Sequence, residues 1–226
     1  MSTVVLIPPA GTTTAYWQPQ VAGLAARHRV RTPELPGRDG GRFTFAAAVD
    51  VVTAELDEPA YLVGLSLGAT LAVAAALARP AAVRGLVLSG GMAYPPALLT
   101  VQRAAMAVLP GRALAALNAR AVPADYRAQI RADHARIGRA NLRAEMRELA
   151  AVDLRPRLAE VTAPTLVLCG TADRANLASA RAFAAGIPGA ELRLVDGVGH
   201  LWSRSHPGLF TDTVLDFLAR GSPPPE

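Results

Sequence analysis

The sequence has no lysine, a single cysteine and few aromatic residues. All 23 of its basic residues are arginines, and aromatic side chains make up 5% of the 226 residues. With one cysteine, Cys169, the chain can form neither an internal disulfide nor a cysteine-rich metal cluster. Cys169 stands in the apolar run Thr165–Cys169, so we expect it to be a small buried core residue.

The net charge of +5 does not by itself indicate a nucleic-acid partner. Proteins that bind nucleic acids usually cluster their basic residues on one face or interleave them with aromatic residues. Most arginines here stand alone, and the six between positions 127 and 147 have acidic neighbours, including Asp133 and Glu145, as on a solvated helix face. We therefore expect no nucleic-acid partner.

Long hydrophobic runs are absent as well. No stretch is long enough to span a bilayer, and the first residues show no basic region followed by an apolar one. We therefore expect a cytoplasmic protein with no membrane contact. The length suits one well-buried domain and is too short for two full ones.

Short apolar runs alternate with alanine-rich helical stretches along the chain. This alternation is typical of βαβ units, and near-continuous apolar runs of strand length are typical of a parallel sheet covered on both faces. We predict an α/β fold with a doubly wound, mostly parallel sheet of about six strands. The predicted strands are Val4–Ile7, Val30–Thr32, Tyr61–Leu65, Gly85–Ser89, Thr165–Cys169 and Leu192–Val195. The predicted helices between and after them are Trp17–Arg27, Phe43–Leu56, Leu67–Arg79, Arg174–Ala185 and Pro207–Arg220.

One stretch interrupts the alternation of strands and helices. Residues 94–158 contain helical patterns and prolines but no convincing strand, which favours a helical lid inserted into the sheet domain. We therefore assign 1–93 and 159–220 to the core domain and 94–158 to the lid. The proline-rich tail, 221–226, is expected to be disordered.

Ser66 lies between a predicted strand and a predicted helix, with Gly64 and Gly68 on either side. A sharp strand-to-helix turn of this kind holds a nucleophilic serine in a strained conformation and leaves no room for larger flanking residues. It also places the hydroxyl at a helix N-terminus, where backbone N–H groups favour a developing oxyanion. A plain Gly-Ser turn would give the same letters, but the strand–turn–helix context favours the nucleophile.

A nucleophilic serine needs a base and an acid that orients the base. Asp173 follows the strand Thr165–Cys169, and His200 follows the strand Leu192–Val195, so both should lie at the carboxyl ends of strands, where open α/β sheets bind ligands. Among the other histidines, His134 falls in the arginine-rich stretch and is expected on the surface. Ser66, Asp173 and His200 are therefore the predicted catalytic residues.

The predicted oxyanion hole uses two backbone donors. One is the N–H of Leu67, directly after the nucleophile, and the other comes from the turn after the first strand. Because prolines have no N–H, Ala10 is the first choice there and Gly11 the second. Gly11, Met92, Tyr94 and Trp202 are candidates for lining the substrate pocket, with core packing as an equal alternative for the last three.

Taken together, these segments resemble the α/β-hydrolase superfamily, in particular its compact bacterial members, from Val4 to about Leu218. The resemblance rests on Gly64-Leu-Ser-Leu-Gly68, on the segment Ala163–Asp173 and on Gly197-Val-Gly-His200. Glu34-Leu-Pro-Gly-Arg38 looks like the family's turn after the second strand. The chain departs from most members at Pro8-Pro9, where they carry His-Gly; standalone thioesterases of peptide and polyketide assembly lines depart at the same place.

The resemblance implies a serine hydrolase that cleaves an ester, lactone or thioester through a Ser–His–Asp triad and an acyl-enzyme, with no cofactor and no metal. The partner would be a small-molecule acyl substrate, or an acyl carrier protein if the enzyme is a thioesterase. Two alternatives stay open. The same Ser–His pair could transfer protons in a cofactor-free lyase, isomerase or cyclase, since a fold does not fix a function. A non-catalytic binding module is the other alternative.

Overall fold

The computed structural model of the protein describes residues 1–95 and 122–221. Six strands form one sheet in which every neighbouring pair is parallel, in the order β2-β1-β3-β4-β5-β6. Each strand begins and ends within two residues of the apolar run that predicted it, so the predicted fold class is confirmed. The strands are β1 (Thr3–Ile7), β2 (Arg29–Arg31), β3 (Ala60–Leu65), β4 (Val83–Ser89), β5 (Thr165–Gly170) and β6 (Glu191–Val195).

Helices cover both faces of this sheet. In the described residues they are α1 (Gln18–Ala25), α2 (Phe45–Ala54), α3 (Leu67–Ala78), α4 (Arg127–Leu149), α5 (Leu177–Gly186), α6 (Trp202–Ser205) and α7 (Pro207–Arg220). Short 3₁₀ helices lie at Thr14–Trp17, Pro80–Ala82, Ala124–Tyr126 and Arg155–Glu160. None of the helices in the described ranges is both long enough and apolar enough to cross a membrane.

The core consists of two hydrophobic clusters, one on each face of the sheet. Successive side chains of a strand point to opposite faces, and in β1 this divides Val5 and Ile7 from Val4 and Leu6. The first pair packs with α2, α3 and α5, and the second pair packs with α1 and α7. Burial on both faces explains why β1, β3 and β5 have apolar residues at nearly every position.

The segment between β4 and β5 contributes α4, which is interrupted at Gly138 (φ 74°, ψ 155°). An inward stripe at every fourth residue combines apolar and polar side chains: Asp133, Ile137, Asn141, Glu145 and Leu149. Four of these side chains are buried and Asn141 is partly buried. Part of the predicted lid, 96–121, and the predicted disordered tail, apart from Gly221, lie outside the described residues. The domain boundaries at 94 and 158 stay a prediction.

Candidate active site

Ser66 occupies a strained turn between β3 and α3. Its φ of 56° makes it the one non-glycine residue with positive φ in the described ranges. A Cβ on Gly64 would lie 2.3 Å from the backbone of Gly68, and a Cβ on Gly68 would lie 2.1 Å from the carbonyl oxygen of Ile7. Neither position can hold a side chain, which is the physical reason for a glycine two residues away on each side of the serine.

The backbone around Ser66 offers unpaired donors. Leu67 is the first residue of α3, so its N–H has no acceptor within the helix. In the part of the chain that the structure describes, neither Leu67 N–H nor Ala10 N–H donates to another group. The start of α3 packs on the turn after β1, since Gly68 closely approaches Ile7 and Pro8. Two N–H groups without an acceptor in the described residues therefore belong to neighbouring segments, and their role as an oxyanion hole stays a prediction.

Asp173 and His200 are brought into direct contact. His200 Nδ1 lies 2.7 Å from Asp173 Oδ2, and the carboxylate is buried with 6% of its side chain exposed. The side-chain amide of Asn176 donates to both Asp173 oxygens, at 2.9 and 3.0 Å. A carboxylate held in this way accepts a hydrogen bond from the Nδ1–H of the imidazole, so Nε2 is the nitrogen that can act as a base.

Ser89 and Gly90 link this pair to the backbone of Ser66. The Ser66 N–H donates to the carbonyl oxygen of Ser89, at 2.9 Å, and the next residue, Gly90, lies against His200. A Cβ on Gly90 would be 2.9 Å from His200 Nδ1 and 3.2 Å from Asp173 Oδ2. The segments that carry the three predicted catalytic residues thus lie together at the carboxyl edge of β3, β5 and β6. Within the described residues the Ser66 hydroxyl forms no hydrogen bond, and in enzymes without substrate such contacts often tighten only on binding.

A buried ion pair adjoins the predicted oxyanion hole. Glu145 of α4 and Arg38 of the turn after β2 are in ionic contact, and neither side chain has any exposure. Glu145 Oε2 accepts the N–H of Gly11 at 2.7 Å, and Arg38 donates through Nε and Nη2 to the carbonyl oxygen of Thr12. Burial raises the pKa of Glu145, while Arg38 and the Gly11 N–H act in the opposite direction. Gly11, the second choice for the oxyanion donor, therefore has its N–H already engaged.

A second acidic residue of α4 also faces inward. Asp133 accepts the N–H and the hydroxyl of Thr13, at 3.3 and 2.9 Å, and the hydroxyl of Tyr126. The expectation that the acidic residues of this stretch share a solvated face with its arginines is wrong for Asp133 and Glu145. The arginines of this stretch are exposed, namely Arg127, Arg131, Arg136, Arg139, Arg143 and Arg147.

His134 is half-buried rather than fully exposed on the surface as predicted. Its Nε2 lies 3.0 Å from the position that a Cβ of Gly11 would occupy, so the imidazole packs on the turn after β1. Burial lowers the pKa of His134, and the neighbouring Asp133 partly opposes this effect.

The residues proposed to line the pocket lie in different surroundings. Trp202 is buried, donates from Nε1 to Ser89 Oγ at 3.0 Å and packs on Phe210 with 4.8 Å between ring centroids. Met92 is buried in the core cluster that contains α3. Tyr94 is partly exposed, with the Arg155 guanidinium 4.4 Å from its ring centroid.

Four polar residues at this edge were missed as members of the site: Arg38, Asp133, Glu145 and Asn176. For Asp133 and Glu145 the available signal was their four-residue spacing with Ile137, Asn141 and Leu149, because such spacing places side chains on one helix face. No group of three or more His, Cys, Asp or Glu side chains in the described ranges could hold a metal ion.

Comparison with known proteins identifies the family of the chain. The model of the alpha/beta hydrolase family matches residues 4–213. The chain belongs to the alpha/beta hydrolase family. It is an enzyme of that family, and it resembles hydrolases over nearly its whole length.

Three proteins illustrate what this chain is similar to. A protein of Variovorax paradoxus, provisionally named carbamate hydrolase RutD, is 33% identical over 98% of this chain and 93% of its own length. The solved enol-lactonase of Burkholderia xenovorans LB400 has 27% identity and a TM-score of 0.84, covering 96% of this chain and 91% of that one. Polyketide synthase ThaQ of Burkholderia thailandensis is 31% identical over 95% of this chain, which spans 12% of that protein.

Proposed function

We propose that the protein is a serine hydrolase that cleaves an ester, lactone or thioester of a small acyl substrate through an acyl-enzyme on Ser66. In this proposal His200 is the general base, Asp173 orients it, and Leu67 and Ala10 donate to the oxyanion. The observation that carries the proposal is the 2.7 Å contact between His200 Nδ1 and Asp173 Oδ2, formed beside the strained Ser66 turn.

The reaction would proceed in two steps. His200 Nε2 takes the proton of Ser66 Oγ, which attacks the carbonyl carbon and forms a tetrahedral oxyanion stabilised by the two N–H groups. The bond to the leaving alcohol or thiol then breaks, and the imidazolium returns the proton to it. Water, deprotonated by His200, attacks the acyl-enzyme in the same way; the acid leaves and Ser66 regains its proton.

The names of the similar proteins support an acyl bond as the target without fixing its type. One is a lactonase, one is provisionally a carbamate hydrolase, and one is a polyketide synthase. The similarity to polyketide synthase ThaQ and the Pro8-Pro9 turn, at which standalone thioesterases also depart from most members, support including thioesters, free and bound to an acyl carrier protein, in the substrate panel.

The test is covalent labelling of Ser66. A fluorophosphonate probe should label the wild-type protein and Ser205→Ala, which changes an exposed serine, but not Ser66→Ala. Quenched turnover of p-nitrophenyl butyrate, analysed by mass spectrometry, should show a butyryl adduct on the peptide that contains Ser66. Labelling or ester turnover that persists in Ser66→Ala would contradict the nucleophile assignment. Catalysis of another reaction without any adduct would instead favour proton transfer by the same Ser–His pair.

A further inference from the structure

The turn after β1 is held by three side chains from two distant parts of the chain, α4 and the turn after β2. Glu145 accepts the N–H of Gly11, Arg38 donates to the carbonyl oxygen of Thr12, and Asp133 accepts the N–H of Thr13. Within the described residues, the N–H that precedes these groups, on Ala10, has no acceptor. The Ala10 donor is therefore followed by three residues that each have one backbone group held by a side chain.

The peptide unit that carries this free donor is itself fixed from one side. Thr12 Oγ1 donates to the carbonyl oxygen of Pro9 at 2.8 Å. The Pro9 carbonyl and the Ala10 N–H belong to one planar peptide group and point in opposite directions. A hydrogen bond on the carbonyl side therefore sets the direction of the N–H, provided that the next peptide group, which carries the Gly11 N–H, is also held.

We infer that Glu145 is a positioning residue for the oxyanion hole. Its carboxylate engages the Gly11 N–H, which keeps that group from competing for the oxyanion and fixes the peptide plane next to Ala10. The inference rests on the proposed function, because an oxyanion donor has a role only if Ser66 attacks a carbonyl carbon.

Stability alone does not account for the buried pair. Removing a carboxylate and a guanidinium from water is costly, and apolar residues of similar size often replace a buried ion pair with no loss of stability. Here one carboxylate oxygen is in ionic contact with Arg38 and the other accepts the Gly11 N–H, so both oxygens of Glu145 are engaged. A glutamine at position 145 beside Arg38 has one oxygen and one NH₂ group, so its NH₂ group would face a donor, either Arg38 or the Gly11 N–H.

Two double variants isolate the acceptor at position 145. Arg38→Met/Glu145→Gln and Arg38→Met/Glu145→Met both remove the two buried charges and keep the side-chain size. They differ in one respect: the glutamine oxygen can still accept the Gly11 N–H and the methionine cannot. Asn141→Leu is the control for a loosened α4, since Asn141 joins the same helix to the carbonyl oxygens of Gly37 and Gly41.

We expect the methionine variant to have a kcat for p-nitrophenyl butyrate at least about tenfold below that of the glutamine variant, with a similar KM. Complete removal of an oxyanion donor costs about a hundredfold or more, and misplacement should cost less. The affinity for an alkyl trifluoromethyl ketone, which forms a tetrahedral oxyanion on the serine, should fall by the same factor. Asn141→Leu should keep the wild-type kcat and the wild-type affinity for the ketone, although its melting temperature should fall.

Equal kcat and equal ketone affinity in the two double variants would overturn the inference. A measurement on the wild-type protein needs no variant to fold: amide hydrogen exchange should be slow at Gly11 before ligand is added, and at Ala10 it should slow only when the ketone binds. Protection of Gly11 on ketone binding would also overturn the inference. Failure of the probe to label wild-type Ser66 would contradict the proposed function instead, so the two failures can be told apart.

Discussion

Asn176 donates hydrogen bonds to both carboxylate oxygens of Asp173, and its amide nitrogen lies 3.2 Å from Nδ1 of His200. Asn176 is buried at the start of α5, three residues after the acid that it contacts. The carboxylate thus has two partners, an imidazole that the reaction charges and an amide that stays neutral. Asn176 can hold the acid in place while the imidazole changes its protonation.

Replacing Asn176 by leucine should lower kcat about tenfold with little change in KM. A tenfold loss corresponds to about 1.4 kcal/mol of transition-state stabilisation, near the lower limit for a hydrogen bond to a charged group. Steady-state kinetics with p-nitrophenyl butyrate measure both constants. Thr171→Val is the matched control, because Thr171 lies in the same region but bonds to Asp196 and to the Gly197 N–H. A kcat within twofold of wild type in Asn176→Leu would show that Asp173 does not depend on this amide.

Gly68→Ala should destabilise the protein by about 2 kcal/mol or more, because steric overlap in a packed region forces the backbone to move. The new Cβ would meet the Ile7 carbonyl oxygen at 2.1 Å. Gly208→Ala in α7 is the control, since a Cβ there has no neighbour within 4 Å. Urea unfolding followed by circular dichroism gives both free energies of unfolding. Similar values for the two variants would contradict the close packing of α3 on β1.

Cys169 should be unreactive in the folded protein. Burial and the nearby Asp173 raise the pKa of its thiol to about 12, so almost no thiolate exists at neutral pH. Ellman's reagent at about pH 8 should detect the thiol only after unfolding in guanidinium chloride. Rapid modification under native conditions would mean that β5 opens. The rate of that modification, compared with the rate for free cysteine at the same pH, would measure how often β5 opens.

His134 should make the protein less stable in mild acid. Burial lowers its pKa below the ordinary value of 6.5, so the unfolded chain binds the proton more tightly than the folded one. The free energy of unfolding keeps its full value above pH 6.5, the ordinary pKa of the imidazole, and falls as the pH decreases through the lower pKa of His134 in the folded state. Between about pH 7 and pH 5, the melting temperature of His134→Gln should therefore decrease less than that of wild type.

The control for this comparison is His206→Gln, which removes an exposed imidazole at the start of α7. Its melting temperature should follow that of wild type across the same range. If His134→Gln also follows wild type, the imidazole packed on Gly11 is not a source of the acid sensitivity.

The sheet could be predicted because each strand is a short apolar run that is recognisable in the sequence by itself. An apolar run such as Thr165–Cys169 must be buried on both faces wherever it pairs, and parallel strands bring the residues after them to one edge. That geometry is enough to place Asp173 and His200 near Ser66 before any contact is known. The order of the strands within the sheet was not predicted, since it depends on pairings between distant segments.

The polar contacts of α4 could not be predicted in the same way. A glutamate among exposed arginines is normally solvated, and Glu145 is buried because Arg38 and the Gly11 N–H lie where α4 packs. Both partners are more than a hundred residues earlier in the chain. Local pattern carries no information about such a pairing, although the four-residue spacing of the stripe indicates which side of α4 faces the protein.

The Arg38–Glu145 pair also limits how far the segment between β4 and β5 can be exchanged as a module. A chimera that imports this segment from another hydrolase, to alter what the enzyme accepts, would leave Arg38 buried without a counter-charge unless the donor supplies an acid at the equivalent place. A buried guanidinium without its partner typically costs about 3–5 kcal/mol. Grafts into this scaffold should therefore transplant the turn after β2 together with the segment that contains α4.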